Sequence, residues 1–335
     1  MRIGTVLGFV RSGDFRARLA ALRDGQAAVR LAAVDAGLRT RVLDMLGAAP
    51  GSTSDLAARG GWSDEEMLAA LLHVLAGMSL VRAPEGTWEL TRRGRAVVED
   101  DVVRATYEGF SGYHTGLYRE VEQQLRGGAR RRDIIDKGAV IARLSRAMDP
   151  FVLDALAEEV RRRAPRRVLD VGCGSGSHLT HMLAVAAHAT GVGIETDHAA
   201  ASLARITVTD RGMGSRAEVV EGDARELLLP ALGEFDLALL ANVIYYLPVA
   251  GRVPLLRSVA DRLRPGGALL VVTTALDDSV FSRHFDLLLR AQEGEMGLPA
   301  TDDLAQQLRA AGLVPDRPRR ITPGEPLTIL VATKA

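Results

Sequence analysis

The run Arg167-Val168-Leu169-Asp170-Val171-Gly172-Cys173-Gly174-Ser175-Gly176-Ser177 carries the strongest chemical signal in the chain. A short apolar strand ends in an acid, and three alternating glycines precede a helix-compatible stretch from His178. Gly172, Gly174 and Gly176 let a ligand approach the backbone, because no β-carbon holds it away. The helix N-terminus behind them offers free N–H groups to a carboxylate or phosphate. A doubly wound α/β sheet opens a cofactor site in this way, at the carboxyl end of its first strand. The spacing is G-x-G-x-G. The dinucleotide fingerprint G-x-G-x-x-G/A would place its third small residue at Ser177, which counts against a nicotinamide dehydrogenase. A second strand, Thr190-Gly191-Val192-Gly193-Ile194-Glu195, also ends in an acid. Glu195 lies 23 residues after Gly172, where a carboxylate can take both hydroxyls of a ribose.

The Asp170 and G-x-G-x-G arrangement resembles the first motif of class I S-adenosylmethionine (SAM) methyltransferases. Later segments follow in the same order. Val219-Val220-Glu221-Gly222-Asp223-Ala224 reads as a third strand, and Phe235 to Asn242 as a fourth. Leu263-Arg264-Pro265-Gly266-Gly267 reads as the turn before a fifth strand, Ala268 to Thr274. The resemblance implies SAM as cofactor and S-adenosylhomocysteine (SAH) as product. It places Asp170, Gly172, Gly174, Gly176, Glu195, Asp223, Ala224 and Asn242 around the cofactor, with Asp223 beside the adenine amino group. The helix around Ile141-Ala142-Arg143-Leu144-Ser145-Arg146 would cover the methionine end. Arg143 there either holds the cofactor's carboxylate bidentately or belongs to a solvated helix face.

Methyl transfer is an in-line displacement, so the protein must align the acceptor and exclude water. A base is needed only where the nucleophile must lose a proton. The acceptor therefore belongs beyond strand four, at Asn242-Val243-Ile244-Tyr245-Tyr246-Leu247-Pro248. Related O-methyltransferases carry a catalytic histidine here, and the aligned residue is Tyr245. Imidazole titrates near neutrality, whereas a phenol with a pKa of about 10 is a base only if strongly perturbed. Tyr245 thus orients the acceptor, stacks on it or acts as base, and Tyr246 faces either acceptor or core. His284, in Phe281-Ser282-Arg283-His284-Phe285, is the alternative base or an ordinary helix histidine. Phe285, Tyr246 and Met296 are expected to line the acceptor, and Glu293 and Glu295 either bind a cationic substrate or are solvated. Tyr107, Phe110, His114 and Tyr118 cluster in an aromatic-poor chain, as helix packing or as a pocket wall. Asn-x-x-Tyr also occurs in nucleic-acid amino-methyltransferases, but Val243-Ile244 replaces their Pro-Pro.

The elements that must position these groups fill a chain of 335 residues with a formal net charge of zero. That balance argues against a general nucleic-acid or membrane-surface binder. Cys173 is the sole cysteine, so no internal disulfide is possible. Cys173 is not expected to be a nucleophile, since it lies inside the glycine loop, where backbone geometry dominates. His178, His181 and His188 lack a carboxylate at ligand spacing, so no metal is expected. Met1 to Val10 is too short for a signal peptide, no apolar run reaches spanning length, and a cytoplasmic location is expected. Val29 to Leu46 and Ser52 to Arg59 read as helices. Ser63 reads as the N-cap of a third, with Glu66 at N3 and Trp62 stapled onto Met67. A strand, turn and strand follow from Leu80 to Leu90. Three helices and a hairpin make a winged helix, but the third helix opens on Asp64-Glu65-Glu66, which phosphates would repel. Arg130-Arg131-Arg132 and Arg161-Arg162-Arg163 read as solvated stretches near helix ends.

The expected fold is α/β: a Rossmann-like, seven-stranded class I methyltransferase domain preceded by a mostly α-helical winged-helix domain. The boundaries are 1–100 for the winged-helix domain, 101–163 for a helical linker contributing to the substrate pocket, and 164–335 for the SAM-binding domain. The resemblance to small-molecule O-methyltransferases implies a homodimer formed through the first domain. It also implies a secondary-metabolite-like acceptor methylated at carbon or oxygen. A nucleic-acid methyltransferase and a non-catalytic SAM-binding regulator are the alternatives.

Overall fold

The computed structural model describes residues 14–227, 232–324 and 326–335; the run Met1 to Val10 lies outside them. The chain forms two compact units. One holds the described residues up to Val121 together with Lys137–Ala147, and the other holds Glu122–Asp136 and Met148–Ala335. The stretch 101–163, expected as one linker, is divided between them.

The first unit is mostly helical. The expected helix from Val29 to Leu46 is two helices, Phe15–Arg39 and Val42–Ala48, broken at Arg41 with φ of 63°. A side chain in the left-handed region ends a right-handed helix. Ser52 caps Thr53–Gly60 through a capping box with Asp55. The next helix, Glu65–Gly77, is capped one residue later than expected. Asp64, not Ser63, accepts from the Met67 amide at 2.8 Å, so Glu66 is not at N3. Met67 is 68% exposed and does not staple onto Trp62. A carboxylate there both accepts the orphan N–H and complements the helix dipole. Strands β1 (Val81–Arg82) and β2 (Glu89–Leu90) pair antiparallel. Val34, Leu43, Leu56, Leu72 and Trp88 are among the residues of this unit's core.

The second unit is built on a sheet of β3 (Arg167–Val171), β4 (Thr190–Glu195), β5 (Ala217–Glu221), β6 (Phe235–Ala241), β7 (Leu263–Thr274), β8 (Leu313–Pro315), β9 (Arg319–Arg320) and β10 (Leu327–Lys334). The order is β5-β4-β3-β6-β7-β10-β8, with β9 on β10. The first five of these neighbours run parallel, and β10 is antiparallel to β7. The expected turn Leu263 to Gly267 lies inside β7, where the register against β6 shifts between Phe235 and Leu237. Gly266 supplies the left-handed step there, with φ of 77°.

Alternating side chains cover the two faces. Leu169, Val171, Leu240 and Val271 enter one core with the helices Val249–Asp261 and Thr301–Ala310. Val168, Leu239 and Leu270 enter the other with Asp149–Arg163 and Ser177–Val185. The chain leaves β3 towards β4 and β5, then returns to its other side for β6 and β7. A crevice opens at that reversal, beyond the carboxyl ends of β3 and β6.

Candidate cofactor and acceptor site

Gly172, Gly174 and Gly176 all have positive φ, at 72°, 53° and 75°. They serve different ends. A β-carbon on Gly172 would lie 2.5 Å from Val243 Cγ2, and one on Gly176 3.2 Å from the Ala204 backbone. One on Gly174 would meet no protein atom within 4 Å. The first two are required by packing, and Gly174 opens the loop to space. Cys173 turns inward beneath Gly193 of β4. Its thiol is buried, and burial pushes it well above the usual thiol range, which leaves it inert.

Two carboxylates flank the loop. Glu195 Oε2 accepts the Gly174 amide at 2.8 Å, and Oε1 accepts the Asp197 amide at 3.0 Å. Asp170 is 1% exposed, and neither of its oxygens has a hydrogen-bond partner. Burial pushes it up to about 6, with Glu195 adding to the effect; His178 and the Leu179 amide oppose it from beyond hydrogen-bonding geometry. A buried, unsatisfied carboxylate demands a donor. At the end of β5, Asp223 accepts the Arg225 backbone amide at 2.8 Å and its guanidinium, which holds the carboxyl below its usual range. Ala224 starts a short helix, Ala224–Leu227, and joins the sheet core. Asn242 closes β6 in the left-handed region with φ of 58°, a conformation that asparagine tolerates, and its amide is tied to Val272 O at 2.8 Å.

Arg143 lies in the first unit. Its guanidinium pairs with Asp101 at 2.8 Å and Glu108 at 3.2 Å, all within the first unit. Its fork is already taken by two carboxylates. Tyr107, Phe110, His114 and Tyr118 also lie in the first unit. The segment Gly109–His114 is a π-helical turn in which Phe110 stacks on His114, with centroids 4.5 Å apart. His114 is buried, and Tyr118 is 52% exposed. Tyr107 and Phe110 line a cavity of about 460 Å³ with Leu31, Val103 and Thr106.

The remaining acceptor candidates gather in the second unit. Tyr245 is 4% exposed and packs with Leu289 and Leu298, against partly buried Tyr246, Phe285 and Met296. Its ring meets those of Tyr246 and Phe285 edge-on, at 4.6 and 5.3 Å. Burial raises the Tyr246 phenol despite a hydrogen bond from Tyr245. The Tyr246 phenol is thus held in an apolar nest, away from the ionisation a base requires. His284 sits on the helix Val280–Arg290, partly buried, and burial lowers its imidazole, so it is neutral at pH 7.

The sequence reading missed the braces of this nest. Arg252 is 2% exposed; it donates to Leu247 O at 3.2 Å and to Gly297 O at 2.5 Å. The Gly297 amide in turn donates to Tyr245 O at 3.1 Å. Asp286 accepts the Leu298 amide at 3.0 Å. Arg131, expected as solvated, is buried against Asp133, which also exchanges hydrogen bonds with Gln292. Glu293 faces Arg132 at the surface. His181 Nε2 donates to Leu153 O at 2.9 Å, and His178 meets Asp149 at 3.4 Å. Among the described residues, no group of three or more His, Cys, Asp or Glu side chains is placed to hold a metal, and no helix is long and apolar enough to cross a membrane.

Residues 168–267 match the family model described as a methyltransferase domain. The chain is 25% identical to demethylspheroidene O-methyltransferase of Rhodobacter capsulatus, over 84% of this chain and 74% of that protein. It spans between 32% and 59% of the length of several other curated relatives. Among solved structures, mitomycin 7-O-methyltransferase MmcR aligns with a TM-score of 0.76 at 21% identity, covering 96% of this chain and 99% of that one. PigF with SAH aligns with a TM-score of 0.77 at 21% identity, covering 94% and 99%. The glycine loop, the strand order with its reversal at β3, and the family match over the same strands agree: the chain carries a SAM-dependent methyltransferase domain with a Rossmann-like class I fold.

Proposed function

We propose that this enzyme methylates an oxygen or carbon nucleophile on a small aromatic or enolisable acceptor of the secondary-metabolite kind. The observation that carries this is the nest of Tyr245, Tyr246, Phe285, Leu289 and Leu298, adjoining the carboxyl end of β6. Such a lining suits a flat apolar ring with few polar groups. The names of the relatives support the same class, since mitomycin and demethylspheroidene methyltransferases act on small molecules.

SAM supplies the methyl group on a sulfonium centre that carries its own leaving group. The chain's own residues bind and orient. Asp170 is suited to a cationic amino group, Glu195 to ribose hydroxyls and Asp223 to an adenine amino group, with Gly172, Gly174 and Gly176 admitting the ligand and Ala224 and Asn242 closing the strand ends. Tyr107, Phe110, His114 and Tyr118 are retained as candidate acceptor contacts. The buried phenols and the neutral His284 favour an acceptor that is already acidic, or a carbon nucleophile, over an ordinary phenol that needs a strong base. We assign the helices and hairpin of the first unit to a winged-helix dimerisation element, and the protein to the cytoplasm.

The test is labelled methyl transfer from SAM to a panel of phenols, 1,3-dicarbonyl compounds, tRNA and duplex DNA. Transfer to acidic small acceptors is expected, with tRNA and DNA inert. Transfer to nucleic acid alone would establish the other class, and SAH binding without transfer would favour a regulator. Tyr245→Phe should leave turnover within about threefold if the hydroxyl is not the base, whereas loss of a general base costs about 100-fold or more.

A further inference from the structure

Asp170 is fully buried beneath the glycine loop with both oxygens unpartnered. In the first turn of the helix that follows, Ser177–Val185, His178 is 18% exposed on its side chain, and its Nε2 lies 3.4 Å from Asp149 Oδ1. Asp149 belongs to a different helix, Asp149–Arg163, so the imidazole is paired with an acid from a separate element, and it also feels the charge of Asp170 at the foot of the loop. The charges around it are distributed unevenly. Asp149, Asp170 and, across β4, Glu195 bring negative charge, while His181 lies on the same helix with Arg161 and Arg211 near it. Cys173 is a buried neutral thiol. Burial disfavours a charged His178, but the Asp149 hydrogen bond and the Asp170 and Asp149 charges outweigh it and raise its titration above that of a free imidazole.

We propose that His178, held as an imidazolium by Asp149, is a positioning residue that keeps the Asp170 carboxylate ionised for the ammonium group of SAM. This rests on the assignment of the glycine loop to SAM. An ionised carboxylate without donors would take up a proton instead of waiting for a ligand. A neighbouring cation opposes that uptake. Asp170 can then accept from the arriving ammonium, while Glu195 remains available to hydroxyls.

Two measurements test this. The first is an NMR titration of labelled histidines in the ligand-free protein. The His178 signal should titrate above about 6.5, the value of a free imidazole, and return towards it in Asp149→Asn. A His178 signal at or below the free value overturns the proposal. The second is calorimetry of SAH, which carries the same ammonium, from pH 5.5 to 8.5. Wild-type affinity should fall on acidification as Asp170 is protonated. In His178→Gln the fall should begin at higher pH: for a rise of about one unit, affinity should be about twofold lower than wild type at pH 7, approach about tenfold lower at pH 5.5, and be restored at pH 8.5. Asp149→Asn should move the profile the same way by less, and serves if His178→Gln does not fold. A loss of equal size at every pH, or an unchanged profile, overturns the positioning role alone. Absence of SAH binding by the wild type at any pH overturns the cofactor reading itself.

Discussion

Asp170 is built for a ligand at the expense of the empty fold. Its folded titration, about 6, lies above the ordinary aspartate value of 3.8, so the folded state binds more protons between these values. Stability from this group is therefore present at acid pH and is lost as pH rises through about 6. Asp170→Asn should raise the unfolding free energy of the ligand-free protein at pH 7.5, by an amount on the order of 1–3 kcal/mol, and change it much less at pH 4.5. The same variant should lose the stabilisation that SAH gives the wild type. Thermal melts at both pH values, with and without SAH, check both parts. The glycines divide by a similar argument. Gly172→Ala collides with Val243, so it should destabilise the fold, and Val243→Ala should recover part of that loss. Gly174→Ala meets nothing in the protein and costs only the left-handed strain, about 1–2 kcal/mol. It should stay folded yet bind SAH far more weakly, and Val243→Ala should not rescue it. Paired melts and calorimetry separate the two behaviours.

At the scale of elements, the loop after β6 and the segment 292–299 are locked together by one buried arginine. Arg252 has carbonyls of Leu247 and Gly297 as partners, with Asp286 and Asp303 offsetting part of its burial. Arg252→Met would keep the bulk but leave both carbonyls unpaired, a cost of about 2–4 kcal/mol. The denaturation midpoint should fall, KM for the acceptor should rise about tenfold as the nest loosens, and SAH affinity should be nearly unchanged. An equal loss of SAH affinity would mean that the brace supports the whole crevice. Arg252 also marks where the sequence stops being legible. Strand ends such as Asp170, Glu195 and Asn242 are readable because an apolar run closing on a polar residue is a local pattern. A buried arginine in an amphipathic helix looks like any solvated one, and its carbonyl partners lie up to 45 residues away. Arg131 was read as solvated for the same reason, since its neighbours Ala291 and Gln292 are distant in sequence. The helix break at Arg41 and the cap at Asp64 turned on one residue's backbone and on which of two adjacent acceptors faces an N–H. Arg143 is already paired with Asp101 and Glu108, which spacing alone does not display.

At the scale of the molecule, the chain passes between the two units more than once, so a division by sequence order cuts through folded parts. The second unit takes Glu122–Asp136, gives up Lys137–Ala147 to the first, and resumes at Met148. Its cofactor sheet relies on what precedes residue 164. Val152, Ala155, Leu156 and Val160 of the helix Asp149–Arg163 are buried in the core behind β3 and β6. Losing three large side chains and an alanine there forgoes about 5–10 kcal/mol of burial, as much as a whole domain's net stability. The same helix supplies Asp149 to His178, and Asp133 supplies the anchor of Arg131 to the loop at Gln292. A fragment of residues 164–335 should therefore be unfolded or loosely packed, binding a hydrophobic dye and not SAH, even though it contains every strand of the sheet and the entire glycine loop. A fragment of 122–335, carrying the segment 137–147 as an exposed excursion, should fold and bind SAH with affinity close to that of the full chain, while its acceptor kinetics report what the first unit adds. Circular dichroism, dye binding and SAH calorimetry on the two fragments make the comparison. SAH binding by 164–335 would place the folding boundary where the glycine-loop motif alone suggested it, and failure of 122–335 to fold would make the first unit part of the cofactor domain's own stability.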